Sequence, residues 1–144
     1  MKKYKMKHIV VILSVLLFNS VLYAQNETSQ AFETFEYKSG DTTYVMKKYF
    51  LCLLYSGDNR GQVEKIATEI QEAHLNHISK LAEVGMLAIA GPMADNTDLR
   101  GIFILNVPTL EMAQKLTNDD PAIKAGRLKA EIHPWWAAVG STLP

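Results

Sequence analysis

The stretch 48-KYFLCLLY-55 is apolar almost from end to end, and everything else in the chain can be read outward from it. An unbroken run of this length predicts a strand buried on both faces. Ser56-Gly57-Asp58-Asn59 breaks it with turn-forming residues. On its far side, Val63, Ile66, Ala67, Ile70, Ile78 and Leu81 recur at spacings of three and four, which predicts an amphipathic helix between Gln62 and Val84, with Gly85 as its C-terminal stop. Met86 to Ala90 reads as a short strand ending at Gly91-Pro92, before the turn cluster Asp95-Asn96-Thr97-Asp98. GIFILNV, residues 101–107, is a second run apolar on both sides, and Pro108-Thr109 opens a second helix through Leu110, Ala113 and Leu116.

Asp119-Asp120-Pro121 starts a short further helix that ends at Gly126. From Arg127 to His133 the residues alternate, with Leu128, Ala130 and Ile132 on one side and Lys129, Glu131 and His133 on the other, as in a half-exposed strand. The order is βαββαβ, which predicts an α+β, ferredoxin-like fold with an antiparallel four-stranded sheet. In that topology the first and third strands are central, and these are the two runs that are apolar throughout. Helices on one face leave the other bare, and strands apolar on both sides cannot leave that face in water. A second copy of the chain is the simplest cover, so a homodimer is expected.

Upstream of Thr42 the composition changes. Lys2, Lys3, Lys5 and Lys7 precede the apolar run Ile9–Phe18, and Tyr23-Ala24-Gln25 offers a small residue for cleavage, the order of a secretory signal peptide. Residues 1–24 are therefore assigned to a signal peptide, 25–41 to a polar leader with room for a short strand before a turn at Ser39-Gly40-Asp41, and 42–144 to the domain. Export places the mature chain in the periplasm or outside the cell. The whole chain balances 15 basic against 15 acidic residues, and losing the four lysines leaves about −4. A mildly acidic domain without a basic stretch argues against nucleic acid and, once the signal is cleaved, against a membrane partner. The single cysteine, Cys52, cannot form an internal disulfide.

Few residues are candidates for chemistry. His74 falls near the middle of the first helix's apolar stripe, where an imidazole without a partner costs about 1–3 kcal/mol. It is either a core histidine bonded to a carbonyl or a general acid/base whose charged form burial disfavours. His77 lies at the edge of that stripe. Asp120 has the position of an N-cap with Pro121 in the first turn, a role compatible with orienting a histidine. His133, Gly91, Pro92 and His77 are the candidates for holding a substrate. No metal-ligand spacing, phosphate loop or nucleophile elbow is present, so neither metal nor cofactor is expected.

Taken in order, His74-Leu75-Asn76-His77 through Leu81 and Gly85, Ala90-Gly91-Pro92, Asp120-Pro121, Ala125-Gly126-Arg127 and Ile132-His133-Pro134-Trp135 resemble the YCII-related domain, from about Lys48 to Trp136. The resemblance implies a dimeric α/β-barrel related to the muconolactone isomerase-like proteins. It also implies an active site built on a histidine of the first helix and the aspartate of an Asp-Pro pair, onto which His74 and Asp120 align. His77 departs from the family, which often has an aromatic residue there, and so does the exported leader. The function expected is a cofactor-free lyase or isomerase in which His74 and Asp120 move a proton on a small unsaturated or carbonyl-bearing acid. The alternatives are a binding module of the envelope that holds a small molecule without turning it over and, third, a haem-binding barrel.

Overall fold

The computed structural model describes residues 31–144; the signal peptide assigned to residues 1–24 and the first part of the leader lie outside the described residues. The elements are β1 (Thr34–Ser39), β2 (Thr42–Ser56), α1 (Glu64–Glu83), β3 (Leu87–Pro92), β4 (Leu99–Leu105), α2 (Leu110–Asn118), α3 (Pro121–Lys124) and β5 (Leu128–Ala138). All strand pairings are antiparallel, with β2 between β5 and β4, and β3 beyond β4. This is the ferredoxin-like order, and the two runs that are apolar throughout, β2 and β4, are its central strands.

The expected four strands are five. β1 occupies part of the stretch read as leader and folds back on the first half of β2 through the two-residue turn Gly40-Asp41, with Gly40 at φ 59°. Every residue of β1 is exposed, so neither face carries the apolar alternation that announces a strand. β5 also runs beyond its expected end, taking in Pro134-Trp135-Trp136 as far as Ala138. Proline is tolerated there because β5 is an outer strand, paired among the described residues with β2 alone, and an edge strand can do without an N–H.

Alternation along the central strands sorts their side chains. Phe50, Cys52 and Leu54 of β2, with Phe103 and Leu105 of β4, face the helices and pack with Leu81 of α1 and Ala113 of α2 into the buried core. Burying a side chain the size of Phe103 or Leu105 contributes roughly 1.5–3 kcal/mol. α2 begins at Thr109, whose hydroxyl accepts the Met112 N–H at 3.2 Å. Gly85, at φ 72°, follows α1 in the left-handed conformation that stops a helix. Val63 and Ile66, expected on the buried stripe, are exposed, and the residues of α1 that are buried are His74 and Leu81.

Candidate functional site

The second half of α1 brings His74 down onto the sheet, and the chain's return from α2 places Asp120 beside it. Asp120 is the N-cap of α3: its Oδ1 accepts the Ala122 N–H at 2.8 Å, and Pro121 fills the first helical position, where no N–H is required. Its Oδ2 lies 2.7 Å from His74 Nδ1. The carboxylate is fully buried and the histidine 8% exposed. A carboxylate has only acceptors to offer, so Nδ1–H donates to Asp120, and the neutral ring then carries its lone pair on Nε2. The imidazole stacks nearly parallel on Phe103, with centroids 6.0 Å apart and planes at 24°. Ring position and tautomer are thus both fixed by neighbours.

His74 is part of the wall of a cavity of about 440 Å³ between α1 and the sheet. Leu54, Ile78, Phe103 and Leu128 provide apolar walls. Gly91 and Pro92 of β3 line it opposite Gly101 of β4, and the backbones approach so closely that a Cβ on Gly101 would come 2.7 Å from the Gly91 carbonyl oxygen. The expected pair and the expected glycine–proline turn therefore meet at one opening.

The other two histidines do not reach it. His77 Nε2–H donates to the Leu116 carbonyl at 2.9 Å, tying α1 to α2, and its ring is outside the cavity wall. This is the bonded-histidine arrangement, found one turn along from the residue for which it was first weighed. His133 pairs in register with Leu51, on the face of the sheet turned away from the helices, and its Nε2 lies 3.1 Å from Glu131 Oε1 at the surface. Strand parity puts the whole thickness of the sheet between it and His74. Neither residue is placed to hold a substrate in this cavity. Asp119 points outward between Lys115 and Lys124, which hold its carboxyl down at about 2.

Beneath the pair lies Cys52, completely buried, with Thr117 Oγ1 3.8 Å from its sulfur. Burial, helped by the Asp120 charge and only partly opposed by Thr117, pushes the thiol up to about 11. It is a packing residue and not a nucleophile near neutral pH. Among the described residues, no three His, Cys, Asp or Glu side chains converge as a metal-ligand set.

Sequence reasoning passed over the polar part of the cavity wall. Arg60, Arg100, Arg127 and Gln71 line it. The loop after β2 is laced to the start of β5: Gly57 N–H donates to Arg127 O at 2.9 Å, Asn59 N–H to Gly126 O at 3.0 Å, and Arg60 Nη1 to Arg127 O at 3.1 Å. Arg100 arrives from the other side, on β4. Each arginine sits in or beside a turn, and only tertiary pairing brings them together.

Comparison with known proteins gives a family and structural likenesses. The pattern that defines the YCII-related domain matches residues 49–136. No curated protein matches the chain at a significant level. Among solved structures, a similar one is the 5-chloro-2-hydroxyhydroquinone dehydrochlorinase of Burkholderia phenoliruptrix AC1100 in complex with 2,5-dihydroxybenzoquinone. It is 22% identical, and the alignment covers 59% of this chain and 92% of that one with a TM-score of 0.43.

Proposed function

The chain belongs to the YCII-related domain family, and from that premise we propose that it is an enzyme in which His74 and Asp120 transfer a proton on a small unsaturated or carbonyl-bearing acid. The observation that carries this reading is the 2.7 Å contact between a buried carboxylate and a histidine whose ring forms part of an open cavity. A core histidine kept for packing has no such space beside it.

The steps follow from the tautomer. Nε2 takes a proton from a carbon next to the substrate's carbonyl or double bond, and the C–H electron pair moves into the conjugated system. Asp120, already bonded to Nδ1–H, stabilises the imidazolium that forms. Nε2–H then returns the proton, either to a different carbon, giving an isomer, or to a group that departs with its bonding pair, giving elimination. The apolar walls and the Phe103 ring hold a flat, conjugated substrate against the imidazole.

A screen of small unsaturated and oxo acids tests the proposal. His74→Ala should lower turnover of any acid consumed by about 10²–10⁴-fold, the usual worth of a positioned acid/base, while leaving the assembly intact. Equal activity in the variant would contradict the proposal. Ligand binding without consumption of any acid would favour a binding module instead.

Two further parts of the proposal rest on different residues. On the outer face of the sheet, Leu51 and Leu53 of β2 lie opposite Ile104 and Ile102 of β4, beside Tyr49 and Trp135. That apolar face supports a homodimer in which a second sheet covers it. Action in the periplasm or outside the cell rests on residues 1–24 read as a cleaved signal.

A further inference from the structure

The chain contains twelve lysines but only three arginines, Arg60, Arg100 and Arg127, and all three arginines line the cavity beside His74. No lysine, aspartate or glutamate of the described residues lines it. Each guanidinium has one neutral acceptor: Arg60 donates to the Arg127 carbonyl at 3.1 Å, Arg100 to the Thr97 carbonyl at 3.2 Å, and Arg127 to Gln62 Oε1 at 2.7 Å. None is within ion-pair distance of a carboxylate among the described residues. Asp120, whose carboxylate contacts the lining residues His74 and Ala122, is completely buried and turned to His74 and the α3 backbone.

From this arrangement we infer that Arg60, Arg100 and Arg127 form an anion-binding clamp, and that the natural ligand is a small conjugated dianion with two carboxylates or equivalent anionic groups. The inference rests on the cavity being the substrate site and adds the class of substrate. The charges support the count. Three guanidinium groups against at most one carboxylate leave a surplus of at least two positive charges around a cavity with apolar walls, whatever the state of His74. A dianion neutralises that surplus. Side-chain choice agrees, because the guanidinium fork matches a carboxylate in two parallel bonds, and a lysine does not. Placement agrees too. Arg60 and Arg127 are held together by the lacing of the loop after β2 to the start of β5, and Arg100 comes from β4, so the clamp draws on two separate elements around a cavity whose lining includes His74.

Calorimetric titration of the purified protein decides it, with benzene-1,3-dicarboxylate and benzene-1,4-dicarboxylate as dianions, benzoate as monoanion and benzamide as neutral probe. At least one dicarboxylate should bind about tenfold or more tightly than benzoate, and benzamide more weakly than either, since charge-assisted bonds of this kind are worth roughly one to two decades. Arg100→Gln should remove the advantage of the dicarboxylate over benzoate, and Arg60→Gln or Arg127→Gln should weaken both acids. Raising the salt in the wild-type protein should weaken the dicarboxylate and leave benzamide unchanged, a measurement that depends on no variant folding. The inference is overturned if benzamide binds as tightly as the dianions, if salt has no effect on them, or if glutamine variants with an unchanged melting temperature keep the wild-type preference. His74→Ala should retain the charge order. Failure of the proton-transfer reading therefore leaves the clamp standing, and failure of the clamp leaves that reading to its own test.

Discussion

Both oxygens of Asp120 are in use inside the protein, one on the Ala122 N–H and the other on His74, so a single carboxylate both starts α3 and sets the state of an imidazole. Asp120→Asn separates the two. The amide oxygen can still cap α3, but an amide N–H turned to His74 forces Nδ1 to accept and puts the ring proton on Nε2, where it cannot serve as base. Turnover should fall roughly 10²-fold or more with little change in melting temperature. Asp120→Ala also removes the cap and leaves Nδ1 unpaired, and should cost about 2–4 kcal/mol in chemical denaturation. Cys52 gives a pH test. With its thiol raised to about 11, alkylation of the native protein should stay slow at pH 8 and rise only as the pH approaches that value, whereas the denatured chain reacts readily at pH 8–9. Rapid native alkylation at pH 8 would contradict the buried, undissociated thiol. At this scale each member was legible by itself, His74 because it interrupts an apolar stripe and Asp120 because Asp-Pro marks a helix start, but their pairing as a site was implied only by the resemblance to the YCII-related domain. The cluster of arginines was not legible, since Arg60, Arg100 and Arg127 lie in or beside three separate polar turns and nothing local distinguishes them from solvent-facing charges.

Elements position the site through two close backbone contacts. A Cβ on Gly57 would sit 2.2 Å from the Gly126 carbonyl oxygen and 2.8 Å from the Arg127 carbonyl carbon. Gly57→Ala must therefore push the loop after β2 away from the start of β5. A loss of about 1–3 kcal/mol in stability is expected, and dicarboxylate binding should weaken because Arg60 and Arg127 separate. An alanine variant as stable and as tight-binding as the wild type would contradict this account of the loop. Element positions followed from periodicity wherever one side of an element was buried: β2, β4, α1 and α2 all lie close to where their apolar patterns placed them. β1 could be given only as room for a short strand before the Ser39-Gly40-Asp41 turn, because it is exposed on both faces and has no pattern to show. His133 is a different case. Alternation correctly put it with Lys129 and Glu131, but a strand's polar side does not reveal which side of the sheet holds the cavity, and register with Leu51 puts it on the far one.

At the scale of the molecule, the sheet's two faces have different fates. One is covered by α1 and α2, and the other carries Leu51, Leu53 and Ile102 half-exposed. If a second copy covers it, the protein should sediment as a dimer, and Leu53→Glu should yield a folded monomer, because a carboxylate at the centre of a buried sheet-to-sheet contact has no partner. A wild-type monomer at micromolar concentration would remove the dimer from the account. Export has its own check: the protein recovered from outside the cytoplasm should have a mass lacking residues 1–24. The apolar character of β2 and β4 made the bare face predictable, but what covers it depends on surfaces in a second chain that one sequence does not describe.

The central claim is the state of one ring, and long-range ¹H–¹⁵N NMR of the histidine-labelled protein at pH 8.5 reads it directly. His74 should carry its proton on Nδ1, bonded to Asp120, with an unprotonated Nε2 that shifts when a dicarboxylate is added. His77, which donates from Nε2 to the Leu116 carbonyl, should show the opposite tautomer in the same spectrum and serves as internal control. A His74 proton on Nε2, or an Nε2 signal indifferent to every ligand that binds, would contradict the account.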